Sequence, residues 1–107
     1  MEIKPDDAET WYNKGNVFSD LKNLDEAIKC YDKALEIQPN YVDAWYNKGL
    51  ALYILKNLDE AIKCYDKALE IKPDHANALK NKQLASKELE KRKYSKGYFS
   101  RFRNKNN

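Results

Sequence analysis

The sequence predicts an all-α fold, a short stack of antiparallel helix pairs with five helices in all. Two observations predict it. Residues Trp11–Pro39 recur at a shift of 34 as Trp45–Pro73, with 23 of 29 positions identical. Within each copy the apolar residues fall at helical spacing. Trp11, Gly15 and Phe18 stand at i, i+4 and i+7, and Leu24, Ala27, Ile28, Tyr31, Ala34 and Leu35 form a second stripe. A unit of this length cannot bury its apolar face alone, so successive copies stack and share one continuous core.

The elements follow in order. Residues 1–6 are an N-terminal lead. Repeat 1 covers 7–39, with a first helix expected over 7–21 from the Asp6/Glu9 start. Its second helix is expected over 24–37, from an Asn23/Glu26 capping box in which a polar N-cap precedes an acid by three. Pro39 ends it, because the residue before proline is pushed out of the α region. Repeat 2 covers 40–73, with helices over 41–55 (Asn40, Asp43) and 58–71 (Asn57, Glu60), closed by Pro73. A weaker third copy over 74–93 is expected to be a capping helix. Asn81 and Lys82 repeat Asn47 and Lys48, Leu79 replaces the tryptophan, and Gln83 replaces Gly49. Lys80, Lys82, Lys87, Glu88 and Glu90 make it polar, as the end of a stack requires. Residues 94–107 form a basic-aromatic tail.

Composition narrows the function. Three Gly, three Pro, 35% charged and 42% apolar residues suit an ordered helical chain rather than a disordered one. No apolar run approaches the ~20 residues of a membrane span, and the N-terminus lacks a signal peptide's apolar stretch, so the expected location is cytoplasmic. Cys30 and Cys64 occupy equivalent places in the two copies. At a helix spacing of ~10 Å they lie beyond the ~7 Å reach of a disulfide, and with the lone His75 they make no metal site. No phosphate-cradling loop and no Ser/His/acid or Cys/His arrangement is present, so no enzyme and no cofactor is expected. Acid pairs such as Asp25-Glu26 sit at helix starts, where the dipole favours negative charge. The net charge of +3 hides a division: residues 1–90 carry 13 basic against 17 acidic side chains, whereas seven basic residues and no acid follow.

The residues named so far resemble the tetratricopeptide repeat. Trp11, Gly15, Phe18, Ala27, Tyr31, Ala34 and Pro39 match its pattern in the first copy. Trp45, Gly49, Leu52, Ala61, Tyr65, Ala68 and Pro73 match it in the second. The resemblance covers roughly residues 5–93 and implies an α-solenoid, a right-handed superhelical stack. One departure is Lys14 and Lys48, where the family usually has Leu. A Lys stem lying along apolar surface loosens the packing there without breaking the fold.

The resemblance also implies an adaptor whose first helices line a concave, peptide-binding groove. Carried over residue by residue, the groove takes Glu9, Tyr12, Asn16, Ser19 and Asp20 from the first helix. It takes Asp43, Tyr46, Asn47, Leu50, Tyr53 and Ile54 from the third, and Asn77, Lys80, Asn81, Leu84 and Lys87 from the cap. Five of the six mismatches between the copies are consecutive, from Asn16/Leu50 to Asp20/Ile54. Divergence is thus concentrated on the face offered to a partner, or alternatively these residues repack against a neighbouring helix. Some family members grip the C-terminal carboxylate of chaperone tails with three basic residues and two asparagines. Asn16 and Asn47 match the asparagines, but Tyr12, Asn77 and Asn81 occupy the basic places, and neutral side chains cannot supply the charge-assisted bonds a carboxylate needs.

The tail places Lys91, Arg92, Lys93, Lys96, Arg101 and Arg103 among aromatic residues. Three readings compete: a solubilising disordered end, a helix presenting Tyr94, Tyr98 and Phe102 to a partner or to a second copy's groove, and a contact with RNA or an anionic membrane. Gly97 argues against a long uninterrupted helix. The leading reading is an adaptor for a protein or peptide. The alternatives are a homo-oligomer built by end stacking or tail exchange, and nucleic-acid contact through the tail.

Overall fold

In the computed structural model, residues 7–105 are described, with side chains over 7–93. Five helices follow one another: α1 (Ala8–Asp20), α2 (Leu24–Ile37), α3 (Val42–Ile54), α4 (Leu58–Ile71) and α5 (Ala76–Lys105). α1 packs on α2 and α3 on α4, while α2·α3, α4·α5 and α3·α5 contacts join one pair to the next. These principal contacts join helices adjacent in sequence and one first helix to the next, as in a stack of supersecondary units.

The core is made of small residues against large ones. Ala27, Ala34, Ala44, Ala61, Ala68, Ala78 and Ala85 are fully buried, and Tyr31 and Tyr65 are the largest side chains sealed inside. Each tyrosine ring lies flat over the glycine of its own pair. A Cβ added to Gly15 would stand 2.6 Å from Tyr31 Cε1, and one on Gly49 2.7 Å from Tyr65 Cε1. These glycines serve close approach and not backbone freedom, because both have ordinary negative φ. Trp45 bridges the two core clusters, and its Nε1 donates to the Pro39 carbonyl at 2.8 Å, which fixes the corner between pairs.

The helix ends differ from the sequence expectation in instructive ways. Asn23 and Asn57 do occupy the N-cap positions of α2 and α4, but neither side chain caps. Glu26 and Glu60 turn outward to Lys29 and Lys63 at 3.2 Å instead. The reason lies one residue back. Lys22 and Lys56 adopt left-handed φ of 65° and 66°. In each case the next N–H, of Asn23 or Asn57, donates to Phe18 or Leu52 five residues earlier, while Lys22 and Lys56 donate to Ser19 and Tyr53. This C-terminal motif turns the chain tightly from one helix into the next and leaves the asparagine backbone already engaged. Asp7, not Asp6, caps α1, with its Oδ1 accepting from Glu9 N at 3.0 Å, and Tyr41 holds the N-cap of α3. α5 is capped by His75, whose Nδ1 accepts from Ala78 N at 3.0 Å.

Two expectations are corrected. α5 does not stop near residue 93 but continues through Gly97 to Lys105. A single glycine costs a helix only about 1 kcal/mol, and no proline follows to end it. The lysine at the family's leucine position does not loosen the stack. Lys48 Nζ meets Asp32 at 2.7 Å and Lys82 Nζ meets Asp66 at 2.6 Å, each tying a first helix to the second helix of the preceding pair. Lys14, the equivalent lysine on α1, lies 5.1 Å over the Trp11 ring.

Candidate functional site

The shared face of α1, α3 and α5 is built on a ladder of side-chain hydrogen bonds that repeats with the sequence. Asn47 Nδ2 donates to Tyr12 Oη at 3.0 Å, and one repeat later Asn81 Nδ2 donates to Tyr46 Oη at 2.9 Å. These bonds couple neighbouring first helices directly. The rings stack by the same rule: Tyr12 lies 5.9 Å from Tyr31 and 4.9 Å from Tyr41, and Tyr46 lies 5.9 Å from Tyr65 and 4.9 Å from His75. His75 thus takes the seat that Tyr41 holds in the previous repeat.

The ladder breaks at one position. In repeat 1, Asn16 Oδ1 accepts from Tyr31 Oη at 2.7 Å and from Asn47 Nδ2 at 3.0 Å. Its counterpart in repeat 2 is Leu50, which accepts nothing. The Tyr65 hydroxyl, equivalent to that of Tyr31, is consequently buried without a hydrogen-bond partner among the described residues. Burial pushes the Tyr31 phenol up to about 12, helped by nearby Tyr12, and pushes Tyr65 still higher.

Asn16, Ser19, Asp20, Tyr31, Asn47 and Leu50 line a shallow cavity of about 360 Å³ between the two repeats. Six side chains of the same face are exposed: Glu9, Asp20, Asp43, Asn77, Lys80 and Lys87. Tyr12, Asn16, Tyr46, Asn47, Leu50 and Tyr53 are half-buried. Tyr46 and Tyr53 also pack on the α3–α4 core, so both expected contact residues are partly structural. The sequence places Tyr31 and Tyr65 in the core stripe, and the structure brings Tyr31 to the wall of this cavity while the Tyr65 hydroxyl stays buried. The signal was their type, since a buried tyrosine in place of phenylalanine demands a partner for its hydroxyl.

On the tail side, Lys91, Arg92 and Lys93 are exposed, and Arg92 Nη1 reaches the Lys56 carbonyl at 3.4 Å. Lys56 itself pairs with Glu88 at 3.1 Å and, by that bond, holds the Glu88 carboxyl below its ordinary range. The side chains of Tyr94, Lys96, Tyr98, Arg101, Phe102 and Arg103 lie outside the described residues.

Among the described residues no group of three His, Cys, Asp or Glu stands close enough to hold a metal ion. No described helix is long and apolar enough to cross a membrane. Both thiols are free and buried, and burial raises Cys30 and pushes Cys64 up to about 11, away from thiolate reactivity.

A stack of near-identical helix pairs with one polar, laddered face defines an all-α repeat scaffold. The chain belongs to the tetratricopeptide repeat family, whose sequence model matches residues 8–41 and 42–75. Proteins of this family are generally non-catalytic interaction scaffolds. A TPR repeat-containing protein of Methanocaldococcus jannaschii, MJ0941, is 50% identical over 36 residues, which are 34% of this chain and 11% of that protein. The crystal structure of MamA superposes with a TM-score of 0.80 at 28% identity, over 91% of this chain and 57% of that one. The first TPR of Spaghetti (RPAP3), bound to the HSP90 peptide SRMEEVD, superposes with a TM-score of 0.77 at 26% identity, over 80% of this chain and 70% of that one. The chain therefore spans about a tenth of the curated relative and a little over half of MamA.

Proposed function

We propose that the chain is a protein-interaction adaptor that takes an extended peptide or a helix across the shared face of α1, α3 and α5. One observation carries this reading. Two copies identical at 23 of 29 positions differ at five consecutive residues, 16–20 against 50–54, and three of those ten side chains line the cavity between repeats beyond the one at Leu50. The second helices are unchanged between copies from Leu24–Ile37 to Leu58–Ile71. A solved neighbour holding a peptide supports the same role. Two buried free thiols suit a reducing compartment such as the cytoplasm.

The ligand differs in kind from a chaperone tail. Tyr12 and Asn81, which stand where a carboxylate clamp needs basic groups, are committed to the ladder with Asn47 and Tyr46. The test is selection of a random dodecapeptide library on the full chain, followed by affinity measurement on a Leu50→Asn/Tyr53→Ala double variant whose helicity is checked by circular dichroism. Selected peptides are expected to bind the folded variant at least tenfold more weakly. Peptides that bind both proteins equally would place the interaction elsewhere.

A further inference from the structure

The charge on the shared face is ordered along the stack. At the α1 end it is acidic: Glu9, Asp20 and, on the first turn of α3, Asp43 are exposed, and no ion pair holds any of the three among the described residues. The middle is apolar, with Leu50 and Tyr53 half-buried and Ile54 54% exposed. At the α5 end Lys80 stands where the earlier repeats have Tyr12 and Tyr46, and Lys87 stands where they have Ser19 and Tyr53. Both lysines are exposed and without an ion pair among the described residues. Of the other charges on α5, Glu88 is neutralised by Lys56 and Lys82 by Asp66, while Glu90 stands one turn beyond Lys87.

The fold accounts for part of this order, since Glu9 and Asp43 sit in the first turns of α1 and α3, where the helix dipole favours negative charge. It does not account for Asp20 at the C-terminal end of α1, for the exposed lysines of α5, or for the apolar middle. Leu50 in place of an asparagine leaves the Tyr65 hydroxyl, on a side chain with no exposure, without an acceptor. An orphaned buried hydroxyl costs on the order of 1–3 kcal/mol. Local rules broken in this way are characteristic of sites shaped for something other than stability.

Resting on the adaptor reading above, we propose that the partner of this face is an extended peptide segment of dipolar sequence. Lys or Arg lies over α1, an apolar side chain lies over Leu50 and Ile54, and a carboxylate, from Asp, Glu or a chain end, lies over Lys80 and Lys87. A segment of one sign of charge meets like charge at one end, which is a penalty against the wrong partner as well as a loss of attraction. Nucleic acid and anionic membrane are disfavoured for the same reason by the α1 end. The spacing is set by the fold. Hydrogen bonds of 3.0 and 2.9 Å couple α1 to α3 and α3 to α5, so the three first helices lie side by side. At about 10 Å between axes the face is ~20 Å across. An extended chain rises ~3.3 Å per residue, which puts the basic and acidic ends about six residues apart.

The same dodecapeptide selection tests this on the full chain in ~0.15 M salt. Enriched sequences are expected to carry Lys or Arg and Asp or Glu on opposite sides of an apolar residue, about six positions apart. One enriched peptide, fluorescein-labelled, is then measured by anisotropy. Lys80→Glu/Lys87→Glu is expected to weaken it about fivefold or more. Changing the peptide's acidic residues to Lys is expected to weaken binding to the unaltered chain and to restore it on that variant. This peptide-side exchange stands even if the protein variant misfolds. Enrichment of single-sign peptides, or indifference to both charge exchanges while Leu50→Asn/Tyr53→Ala still abolishes binding, overturns the dipolar partner and leaves the adaptor reading standing. Indifference to all of these changes, or a selection that enriches nothing, overturns both.

Discussion

Tyr31 and Tyr65 are the same residue in the same seat, each ring against its glycine, yet their hydroxyls have opposite fates. Tyr31 Oη donates to Asn16 at 2.7 Å, while Tyr65 Oη, whose repeat carries Leu50 at the Asn16 position, has no hydrogen-bond partner among the described residues. Removing a satisfied hydroxyl loses a bond worth about 1 kcal/mol, although Asn16 keeps its bond from Asn47, whereas removing an orphan relieves a desolvation penalty. Tyr31→Phe is therefore expected to lower stability by about 1–2 kcal/mol, and Tyr65→Phe to leave it unchanged or raise it by about 1. Urea unfolding followed by circular dichroism reads both, and equal losses would show that the Tyr65 hydroxyl has found an acceptor. The sequence made the Asn16/Leu50 difference plain but not its consequence. Asn16 and Tyr31 lie on different helices, and only the packed pair brings them within bonding distance.

At the scale of the helix, much was legible. The spans of α2 and α4 were read to the residue, and those of α1 and α3 to within one residue at each end, because a 34-residue repeat checks each boundary twice. What failed was the detail of the ends. A polar residue three before an acid reads as a capping box, but left-handed Lys22 and Lys56 had already used the turn's backbone groups. The end of α5 was misplaced because a lone glycine is a weak stop. The lysine at Lys48 was read from its own stripe, and its partner Asp32 lies on the preceding pair, which no pattern within one helix discloses. Helix pairing itself makes a sharp prediction. Gly49→Ala puts a methyl 2.7 Å from the Tyr65 ring and 3.2 Å from Cys64 Cβ. Tyr65 is sealed in the core and cannot swing away, so a loss of about 1–3 kcal/mol is expected despite alanine's better helix propensity. Thermal unfolding checks it, and an unchanged or raised midpoint would mean that the α3–α4 pair yields more easily than its packing implies.

At the scale of the whole molecule, stability is a sum over pairs and the interfaces between them, so a change felt once in each pair is felt twice. The buried tyrosines provide such a change. Burial raises both phenols above the ordinary value of 10, Tyr31 to about 12 and Tyr65 beyond that. The folded chain thus keeps two protons that the unfolded chain releases above pH 10. Stability from this source is fully present below pH 10 and is lost as pH rises towards the folded values, by about 1.4 kcal/mol per pH unit for each tyrosine. A chain stabilised by the usual 5–15 kcal/mol is expected to weaken steeply between pH 10 and 11.5, through both repeats together. Urea midpoints measured from pH 8 to 11.5 would show the fall. The Tyr31→Phe/Tyr65→Phe double variant isolates these two groups, since its curve should lose most of the slope. An equally steep fall in the double variant would assign the alkaline limit to the other groups whose protons burial holds, Cys30, Cys64 and Tyr41.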